Sequence, residues 1–166
     1  DMTLSYFGGF ADVTTIVQDA GNGEYTFSDM DLNTGLQVYC NSGQNFGGWS
    51  IIVIYEDPIF INNLVNVYDG FEVVAGFSPL LEIQLEGINV IDPQGGKIGF
   101  LAWEGDASVA INETLQVNGN ILSNPPLNPA NNVFNGTNSF TGDTNLYNMD
   151  LDFFDISNYV NPGDST

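Results

Sequence analysis

The chain has 166 residues, 43% of them hydrophobic, which is enough for one domain with its own core and too many for a disordered chain. It carries 21 Asp and Glu residues against a single Lys and no His or Arg, giving a formal net charge of −20. This charge excludes nucleic acid and anionic membranes as partners, because both need Lys or Arg. The missing His and Arg also exclude Ser-His-Asp and Cys-His catalysis and His-ligated zinc.

The first third of the chain predicts one short helix among strands. Apolar residues follow helical spacing from 12 to 20, with Asp12 as the N-cap and Gly21 just past the end. Residues 24–27 then predict a strand. Leu36–Cys40 predicts another, in which Cys40 is a buried, inert thiol.

The most apolar stretch is Gly47–Pro58. Two glycines open it, Ile and Val fill it, and an acidic pair with proline closes it. This pattern predicts a strand that is buried on both faces and around which the rest of the chain is organised. Pro58 marks the point where strand pairing stops.

The remaining chain predicts short strands separated by turns. Strands are expected at Leu80–Leu85, Lys97–Glu104 and Thr114–Val117, the last ending in an Asn-Gly turn. Residues 123–138 are rich in Asn and Pro and predict a long ordered loop. Residues 145–159 alternate acidic and apolar side chains. The sequence therefore predicts an all-β fold, a jelly-roll-like antiparallel β-sandwich with one short helix, as a single module over residues 1–166.

Six short blocks stand in a fixed order: Ala11–Thr14, Gly23–Thr26, Gly48–Asp57, Val67–Phe71, Gly99–Asp106 and Asn128–Asn135. In this order they resemble an uncharacterised module of large secreted bacterial surface proteins. Many of those proteins come from Bacteroidetes and carry type 9 secretion signals or neighbour gliding-motility adhesin modules. The chain departs from the resemblance at Ala110–Glu113, where similar modules read Gly-Asp, and this puts a ligand role for that block in doubt.

The resemblance implies a secreted, cell-surface β-sandwich in a filament or adhesin, and it implies no known activity. We therefore expect a non-catalytic structural or adhesive module. Its partners would be neighbouring modules or subunits of the same assembly. Similar modules continue past Thr166 with a further strand, which suggests strand exchange with a neighbour.

Three sets of acidic residues are candidate calcium ligands. In Glu104-Gly105-Asp106 the glycine lets the chain turn between two carboxylates. Asp150 and Asp152 stand at i and i+2 and project to one side of an extended segment. The alternative is that these acids are solvated strand ends. The third set comprises Glu56, Asp57 and Asp69.

Other chemistry gives weaker hypotheses. Lys97 begins a predicted core strand. There it either forms an isopeptide cross-link to an Asn or Asp, or it is a surface lysine whose aliphatic part packs on the protein while its ammonium group stays in solvent. Trp49, Trp103 and the tyrosines provide either a sugar-binding face, as in a calcium-dependent carbohydrate-binding module, or core packing. A glycosidase would need two carboxylates facing each other across a cleft.

Overall fold

The computed structural model describes residues 5–29, 46–108 and 112–166. Its elements are α1 (Thr14–Ala20), β1 (Lys97–Trp103), β2 (Gln116–Val117), β3 (Asn120–Ile121) and β4 (Met149–Asp155). β1 pairs with β4 and β2 with β3, both antiparallel, and neither two-stranded sheet closes. An all-β chain with one short helix is confirmed at this level, and the jelly-roll sandwich stays a prediction.

Contacts between Cα atoms divide the chain into two units. The described part of the first comprises residues 5–29 and 67–83, and that of the second comprises 46–66, 84–108 and 112–166. The prediction of one module over residues 1–166 stays a prediction. No helix within these ranges is long and apolar enough to span a membrane.

The first unit contains α1, which ends at Gly21 with φ +64° as its sequence predicts. The helix begins slightly later than expected, because Val13 and not Asp12 is its N-cap. Asp12 instead accepts the N–H of Thr14 at 2.9 Å, in a turn that leads into the helix. No residue of α1 is buried.

The second unit is built on β1 and β4, whose inward faces change from apolar to acidic along the sheet. Burial alternates along both strands, as expected for strands with one covered face. The inward-facing register pairs are Ile98 with Phe154, Phe100 with Asp152, and Ala102 with Asp150. The strand predicted at Lys97–Glu104 is thus confirmed as β1.

The apolar end of this face forms a small core. Phe154 is buried there with Leu122 and Val133, and Phe100 stacks on Phe154 with ring centroids 6.1 Å apart. Leu122 follows the β2–β3 hairpin, which turns at the predicted Asn-Gly pair. Val133 lies in residues 123–138, which form the expected ordered loop. The acidic end of the face lies under the second half of this loop.

The prediction that Gly47–Pro58 is a buried central strand is wrong. Residues 46–58 form no strand, and Ile52 is 66% exposed. Within the described ranges, no second strand pairs with this stretch, and the side chains of Ile52–Tyr55 are exposed. Trp49 is also exposed, whereas Trp103 stacks on Phe46 with centroids 5.8 Å apart.

Two other strand predictions fail. Residues 24–27 and Leu80–Leu85 form no strand, because neither stretch joins one of the two ladders among the described residues. The strand predicted at Leu36–Cys40, and with it the buried thiol of Cys40, lies outside the residues that the structure describes.

Candidate functional site

Two acidic side chains point inward from β4. Asp150 and Asp152 are both 0% exposed, and they share one face of the strand as their i, i+2 spacing predicts. Burying carboxylates is costly unless they are paired or hydrogen-bonded. The chain's sole cationic side chain, Lys97, is exposed at the opposite end of the sheet, where it faces Asp155. It does not neutralise the buried pair.

One oxygen of Asp150 is enclosed by backbone donors. Its Oδ1 accepts the N–H groups of Asn135 and Gly136 at 2.8 Å each, and that of Thr137 at 3.1 Å. Gly136 has φ +73°, a left-handed conformation that glycine adopts without strain. Three successive N–H groups aimed at one atom form an anion-binding nest, so Asp150 fixes the loop to the strand.

The other oxygen of Asp150 faces the turn that follows β1. Asp150 Oδ2 lies so close to buried Gly105 that an added Cβ there would collide with it. The backbone oxygen of Asp106 accepts the side-chain amide of Asn132 at 3.1 Å, which ties this turn to the loop. The structure therefore brings the Glu104–Asp106 turn and the β4 acids together.

Asp152 is held by side chains. Its Oδ2 lies 3.0 Å from Asn128 Nδ2 and 3.0 Å from Thr137 Oγ1. The Thr137 hydroxyl also lies 2.8 Å from Asn135 Oδ1, and its one hydrogen serves only one of these acceptors at a time. Asn128 is 0% exposed, and its amide group also contacts the carbonyl oxygen of Val133 at 3.3 Å.

Four buried side-chain oxygens have no hydrogen-bond partner among the described residues. They are Asp150 Oδ2, Asp152 Oδ1, Asn128 Oδ1 and Asn132 Oδ1. All four act as acceptors when the carboxyl groups are ionised. A buried polar atom without a partner costs about 1–3 kcal/mol, and more when it is charged. A positive charge or hydrogen-bond donors would therefore stabilise these four oxygens.

The pKa values of the surrounding acids follow from this arrangement. Burial raises the pKa of Asp150 against its three backbone hydrogen bonds, and the charge of Asp152 raises it further. Burial likewise raises the pKa of Asp152 against the bonds from its neighbours. The pKa of Glu113 is raised by desolvation and then by the charges of Asp106 and Asp150. Desolvation and the charge of Asp106 also raise the pKa of Glu104.

Sequence reasoning missed Glu113, Asn128 and Asn132. The backbone oxygen of Glu113 accepts the N–H of Val133 at 3.1 Å, which holds Glu113 beside the loop. The density of Asn in residues 123–138 was the available signal, since amide oxygens serve as hard-cation ligands.

The other predicted site residues lie elsewhere. Glu56 is exposed, and Asp57 Oδ1 accepts the N–H of Ile59 at 3.0 Å within a local turn. Asp69 is exposed in the first unit. These acids are not part of the buried cluster on β4.

Within the described ranges, no three His, Cys, Asp or Glu side chains come together as metal ligands. The buried side-chain atoms without a hydrogen-bond partner among these residues are two carboxylate oxygens and two amide oxygens. No protein-family profile, curated protein or solved structure matches the chain.

Proposed function

We propose that this chain is a non-catalytic structural module of an extracellular surface assembly, held together by a calcium-type cation. The observation that carries the proposal is the set of four buried, unpartnered oxygens at Asp150, Asp152, Asn128 and Asn132. Calcium prefers oxygen ligands such as carboxylates and amide carbonyls, whereas zinc prefers the nitrogen of His and the sulfur of Cys. A cation here would neutralise the buried charge that no side chain pairs.

The ion would join segments that are distant in sequence. Asp150 Oδ2 faces the turn at Gly105, and Asn132 is bonded to the backbone of Asp106. Glu113 lies close enough for the charges of Asp106 and Asp150 to raise its pKa. A cation bound among these groups would link β4, the turn after β1 and the loop, which is a structural role.

Burial of the acids supports a structural role over catalysis. A glycosidase needs two carboxyl groups on opposite sides of an accessible cleft. Asp150 and Asp152 instead stand on one face of one strand, and both are fully buried. The backbone nest around Asp150 also holds the loop over them.

An extracellular setting fits the charge and the resemblance. A chain with a net charge of −20 repels itself unless salt or bound cations relieve the repulsion, and extracellular calcium modules work at millimolar calcium. Neighbouring modules of the same assembly are the proposed partners. The exposed apolar run Ile52–Tyr55 supports this, because exposed apolar patches mark interaction surfaces.

Calorimetric melting with EDTA and with calcium tests the proposal. We expect calcium to raise the melting temperature, by the equivalent of about 2.7 kcal/mol at a hundred times its Kd. Asp150→Asn keeps the oxygen that accepts three N–H groups but removes the charge, so the calcium shift should disappear. Asp155→Asn, on the same strand but exposed, is the matched control and should retain it. A wild-type chain that melts identically in EDTA and calcium contradicts the cation.

A further inference from the structure

The loop of residues 138–148 presents two aromatic rings to solvent. Phe140 is 88% exposed and Tyr147 is 84% exposed, although both belong to the unit that contains the buried core. The other side chains of this loop are mostly polar, including Thr141, Asp143 and Asn145. The two rings are therefore exposed aromatic surfaces in a loop whose other side chains are mostly hydrogen-bonding groups.

Phe140 is held in place by a hydrogen-bonded turn. The side-chain Oδ1 of Asn138 accepts the N–H groups of Phe140 at 2.9 Å and Thr141 at 3.2 Å. The backbone of Asn138 donates to Asp143 O at 3.0 Å and accepts from Gly142 N at 2.8 Å. The Phe140 ring is thus exposed on an ordered turn, because these hydrogen bonds fix the backbone of Phe140.

Tyr147 has a strained backbone. Its φ is +49°, a left-handed conformation that is rare for an aromatic residue. Both neighbours are anchored: Leu146 N donates to Gly136 O at 2.9 Å, and Asn148 O accepts from Glu104 N at 3.0 Å. Such strain is concentrated at binding sites, where the surrounding structure holds it.

We infer that Phe140 and Tyr147 are contact residues for a neutral polysaccharide. An aromatic face packs against the C–H groups of a sugar ring. Asn145 and the second carboxylate oxygen of Asp143, whose Oδ2 accepts the Thr141 hydroxyl at 2.6 Å, offer partners for the sugar hydroxyl groups. The loop contains no cation and the chain is strongly acidic, so an anionic glycan would be repelled. A protein partner would favour an apolar interface core, whereas the other side chains of this loop are mostly polar.

This inference rests on the proposed function for the rigidity of the loop. Gly136 and Glu104, to which the loop is anchored, flank the Asp150 cluster. Neither Phe140 nor Tyr147 is a proposed ligand of the cation, so glycan binding and cation binding are separable by mutation.

Affinity electrophoresis in native gels tests the inference. The probes are β-glucan, xylan, galactomannan and starch, with alginate as the anionic comparison and calcium in every gel. We expect retardation by at least one neutral polysaccharide and none by alginate. Phe140→Ala and Tyr147→Ala should each weaken the apparent Kd about tenfold, whereas Tyr147→Phe keeps the ring and should bind. Phe77→Ala removes a ring that is 89% exposed in the first unit and is the matched control.

Three results would overturn the inference: no retardation by any neutral polysaccharide, equal retardation by alginate, or full binding by both alanine variants. Melting in EDTA and calcium on the same samples separates it from the proposed function. A calcium shift without retardation refutes the glycan surface alone. Ring-dependent retardation without a calcium shift refutes the cation alone.

Discussion

Two stretches of the second unit reverse the usual relation between composition and burial. The apolar run Ile52–Tyr55 is exposed throughout, whereas polar Asn128, Asn132 and Thr137 are buried. The difference lies in what each stretch can bind. The polar stretch finds two carboxylates and several backbone groups at fixed distances, while the apolar run finds no strand to pair with among the described residues.

This contrast indicates that buried polar groups determine which segments pack together in part of this fold. Hydrophobic burial is non-directional, so an apolar run carries little information about its partner. A buried Asn or Asp tolerates few arrangements, because each unpaired atom is costly. The Asp150 nest therefore positions the loop, and the apolar face of β1 and β4 adds stability beside it.

The largest expected effect tests whether the small core next to this polar cluster is essential. Phe154→Ala removes a buried ring and should lower the free energy of unfolding by about 3–5 kcal/mol. Phe153 is the neighbouring residue on the opposite, half-exposed face, so Phe153→Ala should cost clearly less. Urea unfolding in calcium measures both. Equal losses would mean that the two faces of β4 contribute equally.

The next effect tests the close approach of the turn to the acid. Gly105→Ala places a Cβ against Asp150 Oδ2, and the overpacking should cost about 1–3 kcal/mol and reduce any calcium shift. Gly47→Ala is the matched control, because a Cβ there meets no atom within 4 Å. Urea unfolding and calcium melting check both variants. If Gly105→Ala behaves like Gly47→Ala, the turn does not pack on Asp150.

Short-range sequence patterns predicted those features that depend mainly on neighbouring residues. The Asn-Gly turn after Val117 needs only neighbouring residues, and the β2–β3 hairpin forms there. The strand predicted from Lys97 also forms, but it depends on β4 as its pairing partner. The i, i+2 spacing placed Asp150 and Asp152 on one face. Nothing local shows that the turn at Gly105 meets Asp150, because that contact depends on the register of β1 against β4.

The failure at Gly47–Pro58 has a related cause. A run of Ile and Val indicates that a segment is suited to burial in a strand. The strand forms only if another strand supplies its hydrogen bonds. The Asn-rich loop formed as expected, but its composition gave no sign that Asn128 and Asn132 would be buried, since Asn is mostly exposed in proteins. Pairing across the chain decided both outcomes.

A smaller effect should appear in the pH dependence. Without calcium, burial raises the folded-state pKa of Asp150 above its ordinary 3.8, so the folded state binds more protons than the unfolded state there. The associated stability is present below that ordinary value and is lost as the pH rises through the raised pKa. Asp152 contributes with the same sign.

Calcium should reduce this loss, because it binds the ionised carboxyl groups. Asp150→Asn should make the profile in EDTA flatter, since one titrating group is gone. Urea unfolding between pH 4 and 8, with EDTA and with calcium, measures the four profiles. Stability that rises with pH in EDTA, to the same extent in both chains, would contradict the buried charge.

The smallest expected effect concerns the exposed apolar run. Ile52 is 66% exposed, so Ile52→Ser removes little buried surface and should change the free energy of unfolding by no more than about 0.5 kcal/mol. Val133 is fully buried beside the polar loop, so Val133→Ser should cost several times more, because it leaves a cavity and a buried hydroxyl. Urea unfolding at low protein concentration keeps any association out of the measurement.

A loss above about 2 kcal/mol for Ile52→Ser would mean that the run is buried within the chain, and the contrast between the two stretches would no longer hold. A small loss, together with weaker self-association in sedimentation, would instead assign the apolar run to contacts between modules.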